Sequence, residues 1–289
     1  MPAGMPGPDW TLLLRSPAFE TAALLFGLVV GSFANVCIHR LPLEFEPSAG
    51  RLGFLRDLLR QARSVVHPGS HCPRCGRAIR PWDNLPVLSW LLLRGRCRAC
   101  HLPISARYPA VEAANGLLWL GLALHGGARV GTLVAMVFVT LLLVLTLIDL
   151  EHQILPDVLT LPGAAFGLLA AFLPGAHVTP RHAVAAALAG YLTFALVAWA
   201  WRRLRGIEAL GQGDWKMAAL LGSFLGWPGF LLTVLLASAA GSLVGLALIA
   251  RGGAWQSRLP FGSFLGVAGI ACAFVGDGVL GWYRTLLVG

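Results

Sequence analysis

Long apolar runs separated by short polar turns constrain this chain more than any other feature of its sequence. Hydrophobic residues make up 57% of the 289 residues and charged residues 12%, whereas soluble domains average about 45–50% and about 25%. A helix needs about 20 mostly apolar residues to cross a bilayer. Eight windows approach or reach that length: 18–38, 109–125, 130–150, 158–173, 182–201, 214–228, 229–250 and 259–281. The sequence therefore predicts an all-α polytopic membrane protein with about eight transmembrane helices.

The first of these windows does not have the flanks of a cleaved signal peptide. Residues 1–17 hold one arginine, one aspartate and four prolines, and no small-x-small cleavage site follows the first apolar run. We expect the first helix to be retained.

Basic residues gather in one long polar segment between the first two windows. Twelve of the 22 lysines and arginines lie from Arg40 to Arg107, in a stretch with only four acidic residues. Cytoplasmic loops of membrane proteins are enriched in Lys and Arg, so this loop is predicted to be cytoplasmic. With eight spans, 18 basic residues fall on the cytoplasmic side and four outside. We interpret the basic balance as topology with some attraction to anionic lipid, not as nucleic-acid binding.

A short amphipathic helix is predicted inside this loop, over residues 51–66. Its apolar stripe consists of Leu52, Leu55, Leu59, Ala62 and Val66. The helix is predicted either to lie on the membrane surface or to pack against the rest of the loop. The chain then divides into a tail and first transmembrane helix (1–38), a basic loop (39–108) and the remaining helices with the predicted site (109–289).

Four of the six cysteines form two closely spaced pairs, Cys72 with Cys75 and Cys97 with Cys100. Each C-x2-C pair turns two thiolates toward one point, and two pairs supply the ligands of a tetrahedral zinc site. Disulfides are not expected in the reducing cytoplasm, so we predict zinc, with reduced or redox-active thiols as the alternative. Four sulfur ligands close the coordination shell, which makes such a zinc structural and not catalytic.

Two aspartates beside apolar windows are the strongest candidates for chemistry, because ionisable residues in a membrane are costly and usually functional. Asp149 lies at the end of the third window and Asp214 at the start of the sixth. In the eight-span topology both reach the cytoplasmic surface, so they arrive at the same depth on the same side. Asp277, near the outer end of the last window, cannot join them. The sequence therefore predicts a carboxylate pair at Asp149 and Asp214.

Such a pair points to proteolysis. Two carboxylates in a low-dielectric site share a proton, and in aspartic proteases one activates water while the other polarises the peptide carbonyl. Gly211 and Gly213, just before Asp214, would let an extended substrate backbone approach closely.

Each aspartate also has a simpler interpretation. Asp214 is predicted as a helix N-cap if taken alone, and Asp149 could pair with Lys216 at the membrane interface. Asp157, directly after Pro156, is predicted as the cap of the fourth window and is the reserve candidate for the second carboxylate.

Four stretches of the sequence match, in the same order, the motifs of a known protein family. They are GSFANVCIHRLP (31–42), CPRCGRAIRPWDNLPVLSWLLLRGRCRACHLPISARYPAVE (72–112), IDLEHQILPD (148–157) and GQGDWKMAALLG (211–222), with a fainter continuation in LPFGSFLGVAG (259–269). Together they resemble the type IV prepilin peptidases, the bacterial leader peptidases of pilus assembly and type II secretion. Two positions depart from the family pattern: Ala34 stands where leucine is common, and Ser263 where proline is common. We expect neither to touch the chemistry.

The resemblance implies an integral protein of the bacterial inner membrane that acts as an aspartic protease. Such enzymes cut the short basic leader from prepilins and pseudopilins on the cytoplasmic side, and their catalytic aspartates match Asp149 and Asp214. Bifunctional members then methylate the new N-terminus with S-adenosylmethionine, and a tetracysteine loop is typical of them.

Cofactor-binding residues are not identified by this comparison. The G-x-G-x-x-G pattern at 276–281 follows an apolar window without a βαβ context, so we interpret it as a chance match. By elimination, we expect S-adenosylmethionine to bind in the basic cysteine loop.

Two other classes of function stay open. A proton-coupled transporter also carries buried aspartates, although it more usually shows two related halves, and no internal repeat is visible here. A zinc-loop scaffold of the secretion machinery would need no aspartate pair. A metalloprotease is disfavoured because no His-Glu-x-x-His occurs and four cysteines leave no open metal position.

Overall fold

The structure, a computed structural model, describes residues 16–44, 51–72, 74–206, 210–252 and 259–288. These residues form helices joined by short turns, with two isolated β-bridges and no strand within the described ranges. The helices are α1 (Pro17–Arg40), α2 (Arg51–Val66), α3 (Leu88–Leu92), α4 (Arg107–Gly126), α5 (Val130–His152), α6 (Asp157–Ala170), α7 (Pro180–Arg205), α8 (Gln212–Ala250) and α9 (Phe261–Val288). The predicted uncleaved N-terminus lies outside the described residues, as does the side chain of Asp277.

Within the described ranges, four helices are long and apolar enough to cross a membrane: α1 with the turn after it, α5, α7 and α8. The all-α membrane fold is thereby confirmed. Each of the eight predicted windows overlaps a helical segment, so the count of eight spans is compatible with the structure and stays a prediction.

Helix α8 contains a break. Its 39 residues would extend about 58 Å as one straight helix, which is far longer than the roughly 30 Å of hydrocarbon in a bilayer. At Gly226 the backbone takes φ 62° and ψ −173°, and Pro228 follows two residues later. The break divides α8 at nearly the place where the sequence predicts one window to end and the next to begin.

The described chain forms two compact units. The first contains residues up to Asn35 together with Ser70–Val137, and the second contains Val36–Gly69 together with Phe138–Gly289. The predicted division at residues 38 and 108 follows sequence segments and stays a prediction.

In the first unit, α1 and α4 approach each other closely through small residues. A Cβ atom added at Gly27 would lie 2.9 Å from the Gly116 Cα atom. The fully buried Asn115 side chain donates a hydrogen bond of 2.7 Å to the Gly27 carbonyl. Helices in lipid associate through close packing at small residues such as glycine and through interhelical hydrogen bonds. Both features occur between α1 and α4.

In the second unit, α8 packs against α6, α7 and α9 around an apolar core. The rings of Phe138 on α5 and Phe224 on α8 stack with centroids 4.5 Å apart. Leu142, Leu145 and Leu221 are fully buried in the same core. The core fixes the last turn of α5 beside the first turn of α8, where the predicted aspartates lie.

Helix α2 begins and ends where the sequence predicts. The four described side chains of its apolar stripe, Leu55, Leu59, Ala62 and Val66, are exposed, and a different face of the helix contacts α6. The stripe is therefore exposed in the part of the chain that the structure describes, and a membrane-surface position for it stays a prediction.

Candidate active site

Asp149 and Asp214 line one cavity of about 430 Å³ in the second unit. Asp149 lies in the last turn of α5, and Asp214 lies in the first turn of α8. The cavity, here called the aspartate cavity, is completed by the loop after α5, the start of α6 and one face of α2. The structure therefore brings together the two residues that the sequence selects as a pair.

Asp149 is buried and is held from α9. The backbone N–H of Ser263 donates to its Oδ2 atom at 2.6 Å, and the Ser263 hydroxyl lies 2.9 Å from the same oxygen. That hydroxyl also lies 3.1 Å from the Thr146 carbonyl oxygen. It has one proton, so it donates either to Thr146 or to an ionised Asp149. Our expectation that Ser263 does not touch this aspartate is wrong, because the start of α9 folds back onto the end of α5.

Asp214 is the third residue of α8, and Gly211 is the N-cap. The Gly211 N–H donates to the Asp214 Oδ2 atom at 3.0 Å. The prediction of Asp214 itself as the N-cap is therefore wrong by three positions.

The two glycines before Asp214 have different surroundings, although both line the aspartate cavity. A Cβ atom at Gly213 would lie 2.8 Å from the Leu155 Cβ atom, so close packing requires glycine there. Among the described residues, a Cβ atom at Gly211 would meet only the Asp214 carboxylate, at 3.5 Å. Gly211 is thus the more open of the two toward the cavity.

Asp157 and Lys216 form an ion pair with an N–O distance of 2.5 Å, and each side chain is about one-fifth exposed. Lys216 therefore pairs with Asp157 and not with Asp149, the alternative that the sequence left open. Asp157 is the first residue of α6, and the N-cap is Pro156, without a side-chain cap. The prediction of Asp157 as that cap is wrong by one position.

The aspartate cavity is acidic. Among the described residues that line it, the ionisable side chains are those of Asp57, Asp149, Asp157, Asp214 and Lys216. The only cation of this set is already paired with one of its carboxylates. A ligand that carries positive charge is favoured by such a surface.

Sequence reasoning missed Asp57 and Gln61, which bring α2 into the wall of the aspartate cavity. In the sequence, Asp57 is only one of the four acidic residues of the basic loop, and nothing distinguishes Gln61. No local pattern marks them, because their place depends on how α2 packs on α6.

The four predicted metal ligands form a second cluster, in the first unit. The Sγ atoms of Cys72, Cys75, Cys97 and Cys100 all lie within 4.8 Å of one another. The Cys72 and Cys100 sulfur atoms are 3.9 Å apart, far beyond the roughly 2.05 Å of a disulfide. Tetrahedral zinc with Zn–S bonds of about 2.3 Å separates its sulfurs by about 3.8 Å. The cluster is a possible metal site whose geometry fits zinc.

Two equivalent turns build this cluster. The Cys72 N–H donates to the Arg77 carbonyl at 2.9 Å, and the Cys97 N–H donates to the Leu102 carbonyl at 3.0 Å. The residue four positions after the first cysteine of each turn has positive φ, 69° at Gly76 and 57° at His101.

Backbone donors and an ion pair stabilise charged groups around these turns. The N–H groups of Cys100 and Ala99 lower the pKa of the Cys97 thiol to about 7, which favours the thiolate form that binds metals. Beside them, the Arg98 guanidinium makes three contacts with Asp83, the closest at 2.7 Å. Hydrogen bonding from Arg98 lowers the pKa of Asp83 below its usual value.

These features define a class: a helical membrane protein with two carboxylates facing one cavity and a separate four-thiol cluster. Family models match two stretches of the chain. The Bacterial Peptidase A24 N-terminal domain matches residues 25–126, and the Type IV leader peptidase family matches residues 136–246.

Similar proteins with the name prepilin leader peptidase/N-methyltransferase cover nearly the whole chain. The protein from Pseudomonas putida is 41% identical over 293 residues, covering 96% of this chain and 98% of the relative. The one from Aeromonas hydrophila is 42% identical and covers 92% and 94%. The one from Burkholderia pseudomallei strain 1026b is 42% identical and covers 88% and 84%. No solved structure matches the chain.

The chain belongs to the type IV leader peptidase family. The predicted family is thereby confirmed, and with it the interpretation of the chain as a peptidase. The transporter and scaffold alternatives have no counterpart among these matches.

Proposed function

We propose that this enzyme cleaves the leader peptide from prepilins and pseudopilins, with Asp149 and Asp214 as its catalytic pair. The observation that carries the proposal is that two aspartates from separate helices line one cavity. The names of the relatives support prepilins as substrates.

Cleavage would proceed without a covalent intermediate. One aspartate, ionised, takes a proton from a water molecule, and the water oxygen attacks the scissile carbonyl carbon. The other, protonated, donates a hydrogen bond to the carbonyl oxygen. The C–N bond then breaks, and the leaving amine takes up a proton from the pair, so that the pair again holds one proton.

The acidic surface supports a basic leader as the bound segment. Asp57 and Asp157 lie in the wall of the aspartate cavity outside the catalytic pair. Asp157 is paired with Lys216, and Asp57 lies 3.5 Å from Arg60, so the attraction for a basic leader would come mainly from the net negative charge of the catalytic pair.

We assign the second activity, N-methylation, to the same chain because the relatives carry N-methyltransferase in their names. S-adenosylmethionine would be the methyl donor: its S–CH3 bond would break as the new N–C bond forms, S-adenosylhomocysteine would leave, and the amine would give up one proton.

A basic cavity of about 480 Å³ is a candidate for holding this donor. Arg94, Arg96, Arg98 and His101 line it beside the second cysteine turn, and its size lies in the range of small-molecule sites. Arg94 and Arg96 would pair with the carboxylate of the donor, whereas Arg98 already pairs with Asp83 and the positive sulfonium would have to lie away from these side chains.

The four cysteines would hold a structural zinc that fixes this part of the loop. The excess of basic residues on one side of the eight-span topology supports a position in the bacterial inner membrane with the loop and the aspartate cavity toward the cytoplasm.

The first test of this function is leader cleavage by the detergent-purified enzyme. We expect Asp149→Asn and Asp214→Asn each to lower the cleavage rate by at least about 10²–10⁴-fold, the usual contribution of a general acid or base. Mass spectrometry of the product N-terminus would show one added methyl group when S-adenosylmethionine is supplied. Full cleavage by both variants would refute the catalytic pair.

A further inference from the structure

One face of α2 forms a wall of the aspartate cavity. Phe54, Asp57, Leu58 and Gln61 all line it, and their spacing places them along one side of the helix. The exposed leucine stripe lies about 110° away around the helix axis. Helix α2 therefore has two separate faces, one exposed and one on the cavity beside Asp149 and Asp214.

Gln61 is the unusual member of the cavity face. Its side chain is 4% exposed, and its Oε1 atom has no hydrogen-bond partner among the described residues. Buried polar atoms are normally paired, and an unpaired one lowers stability. A ligand bound in the cavity could supply the hydrogen-bond donor that the Gln61 Oε1 atom lacks.

The chemistry of the cavity restricts what that donor is. The neighbouring carboxylates of Asp57, Asp149 and Asp214 repel another anion and attract donors. The proposed substrate is a peptide, and every non-proline residue of an extended peptide offers a neutral N–H group. A bond to the backbone would also hold the chain in register without selecting a side chain.

We propose that Gln61 is a substrate-binding residue that accepts a hydrogen bond from a backbone N–H of the peptide being cleaved. This inference rests on the proposed function and adds to it a binding residue outside the catalytic pair. Helix α2 is then one side of the substrate site, and the ends of α5 and α8 are the other.

The test compares Gln61→Met with Arg63→Met in steady-state cleavage of a synthetic leader-containing peptide. Methionine matches glutamine in length but lacks the acceptor, and Arg63 is an exposed residue on the same helix. We expect Gln61→Met to raise KM about tenfold, with the melting temperature in detergent unchanged or higher. Arg63→Met should leave KM within about twofold of wild type. An unchanged KM for Gln61→Met overturns the proposal, whatever happens to kcat.

A second measurement uses the wild-type enzyme and does not depend on the folding of a variant. Peptides are made with one backbone amide at a time replaced by an ester, which removes one N–H, and the scissile bond is left intact. We expect one ester to raise KM about tenfold in wild type and to have little further effect in Gln61→Met, because contacting groups are non-additive. If no ester changes KM in wild type, the proposal fails.

The two measurements also separate this inference from the proposed function. A wild-type enzyme that does not cleave the peptide refutes the function and the inference together. A wild-type enzyme that cleaves, with no effect of Gln61→Met or of any ester, refutes only the role of Gln61.

Discussion

At the scale of single residues, Asp149 depends on Ser263 for its position. The serine backbone N–H and hydroxyl both reach the same carboxylate oxygen, and Gly262 leaves room for it, since a Cβ atom there would lie 2.9 Å from that oxygen. The carboxylate thus has one oxygen fixed by α9 and the other available to a ligand.

We expect Ser263→Ala to lower the cleavage rate severalfold, up to about tenfold. The alanine keeps the backbone donor but removes the hydroxyl, and an ordinary hydrogen bond contributes about 0.5–1.5 kcal/mol net, or about 2- to 13-fold in rate. The measurement is kcat for leader cleavage. Ser223→Ala is the matched control, because Ser223 is also buried but bonds only to the Leu220 carbonyl. Equal losses in the two variants would contradict a specific role for Ser263.

At the residue scale, the sequence indicates which residues come close only where a residue lies beside its own helix end. Asp149 and Asp214 could be paired because apolar windows give the depth of each helix terminus. Ser263 and Gln61 could not be found in that way, since both act through contacts between elements far apart in sequence. The serine, for example, is 114 positions from its aspartate.

At the scale of elements, the helices follow from the apolar windows, and α2 has the predicted bounds. The break in α8 is at Gly226, two residues before the end of the predicted window 214–228, and Pro228 follows it. A proline can stay in a helix if the residues before it adjust, and here glycine makes the adjustment.

We expect Gly226→Ala to destabilise the protein by about 1–3 kcal/mol, because this region of φ and ψ is nearly exclusive to glycine. An added Cβ atom would also meet the Val178 side chain at 2.9 Å. Thermal unfolding in detergent measures the effect. Gly241→Ala, in the same helix with an ordinary 3.6 Å contact to Phe264, should be neutral or stabilising. A destabilisation of the same size at both positions would argue against a required break.

The two cysteine turns predict a defined metal content. We expect about one zinc ion per purified chain by elemental analysis, because the four thiols supply one tetrahedral site. Cys97→Ser should lose most of the zinc and lower the stability of the loop, whereas Cys272→Ser, in the apolar core of α9, should keep it. Zinc retained in Cys97→Ser would show that the metal lies elsewhere.

At the scale of the whole molecule, the distribution of basic residues predicts the orientation in the membrane. We expect alkaline phosphatase to be active when fused after Arg129 and inactive when fused after Arg205, since this reporter folds only outside the cytoplasm. The two sites flank a stretch with three predicted windows, so they fall on opposite sides of the membrane. The reverse pattern would invert the topology, and equal activity would rule out the predicted number of spans between them.

The aspartate cavity lies at helix ends and not in the middle of the spans. Asp149 is three residues from the end of α5, and Asp214 is two residues from the start of α8. The lengths of these helices therefore set the height of the cleaved bond above the hydrocarbon. A substrate with its own apolar anchor would meet that height only in a bilayer of matching thickness, so the acyl-chain length of the surrounding lipid becomes a determinant of turnover.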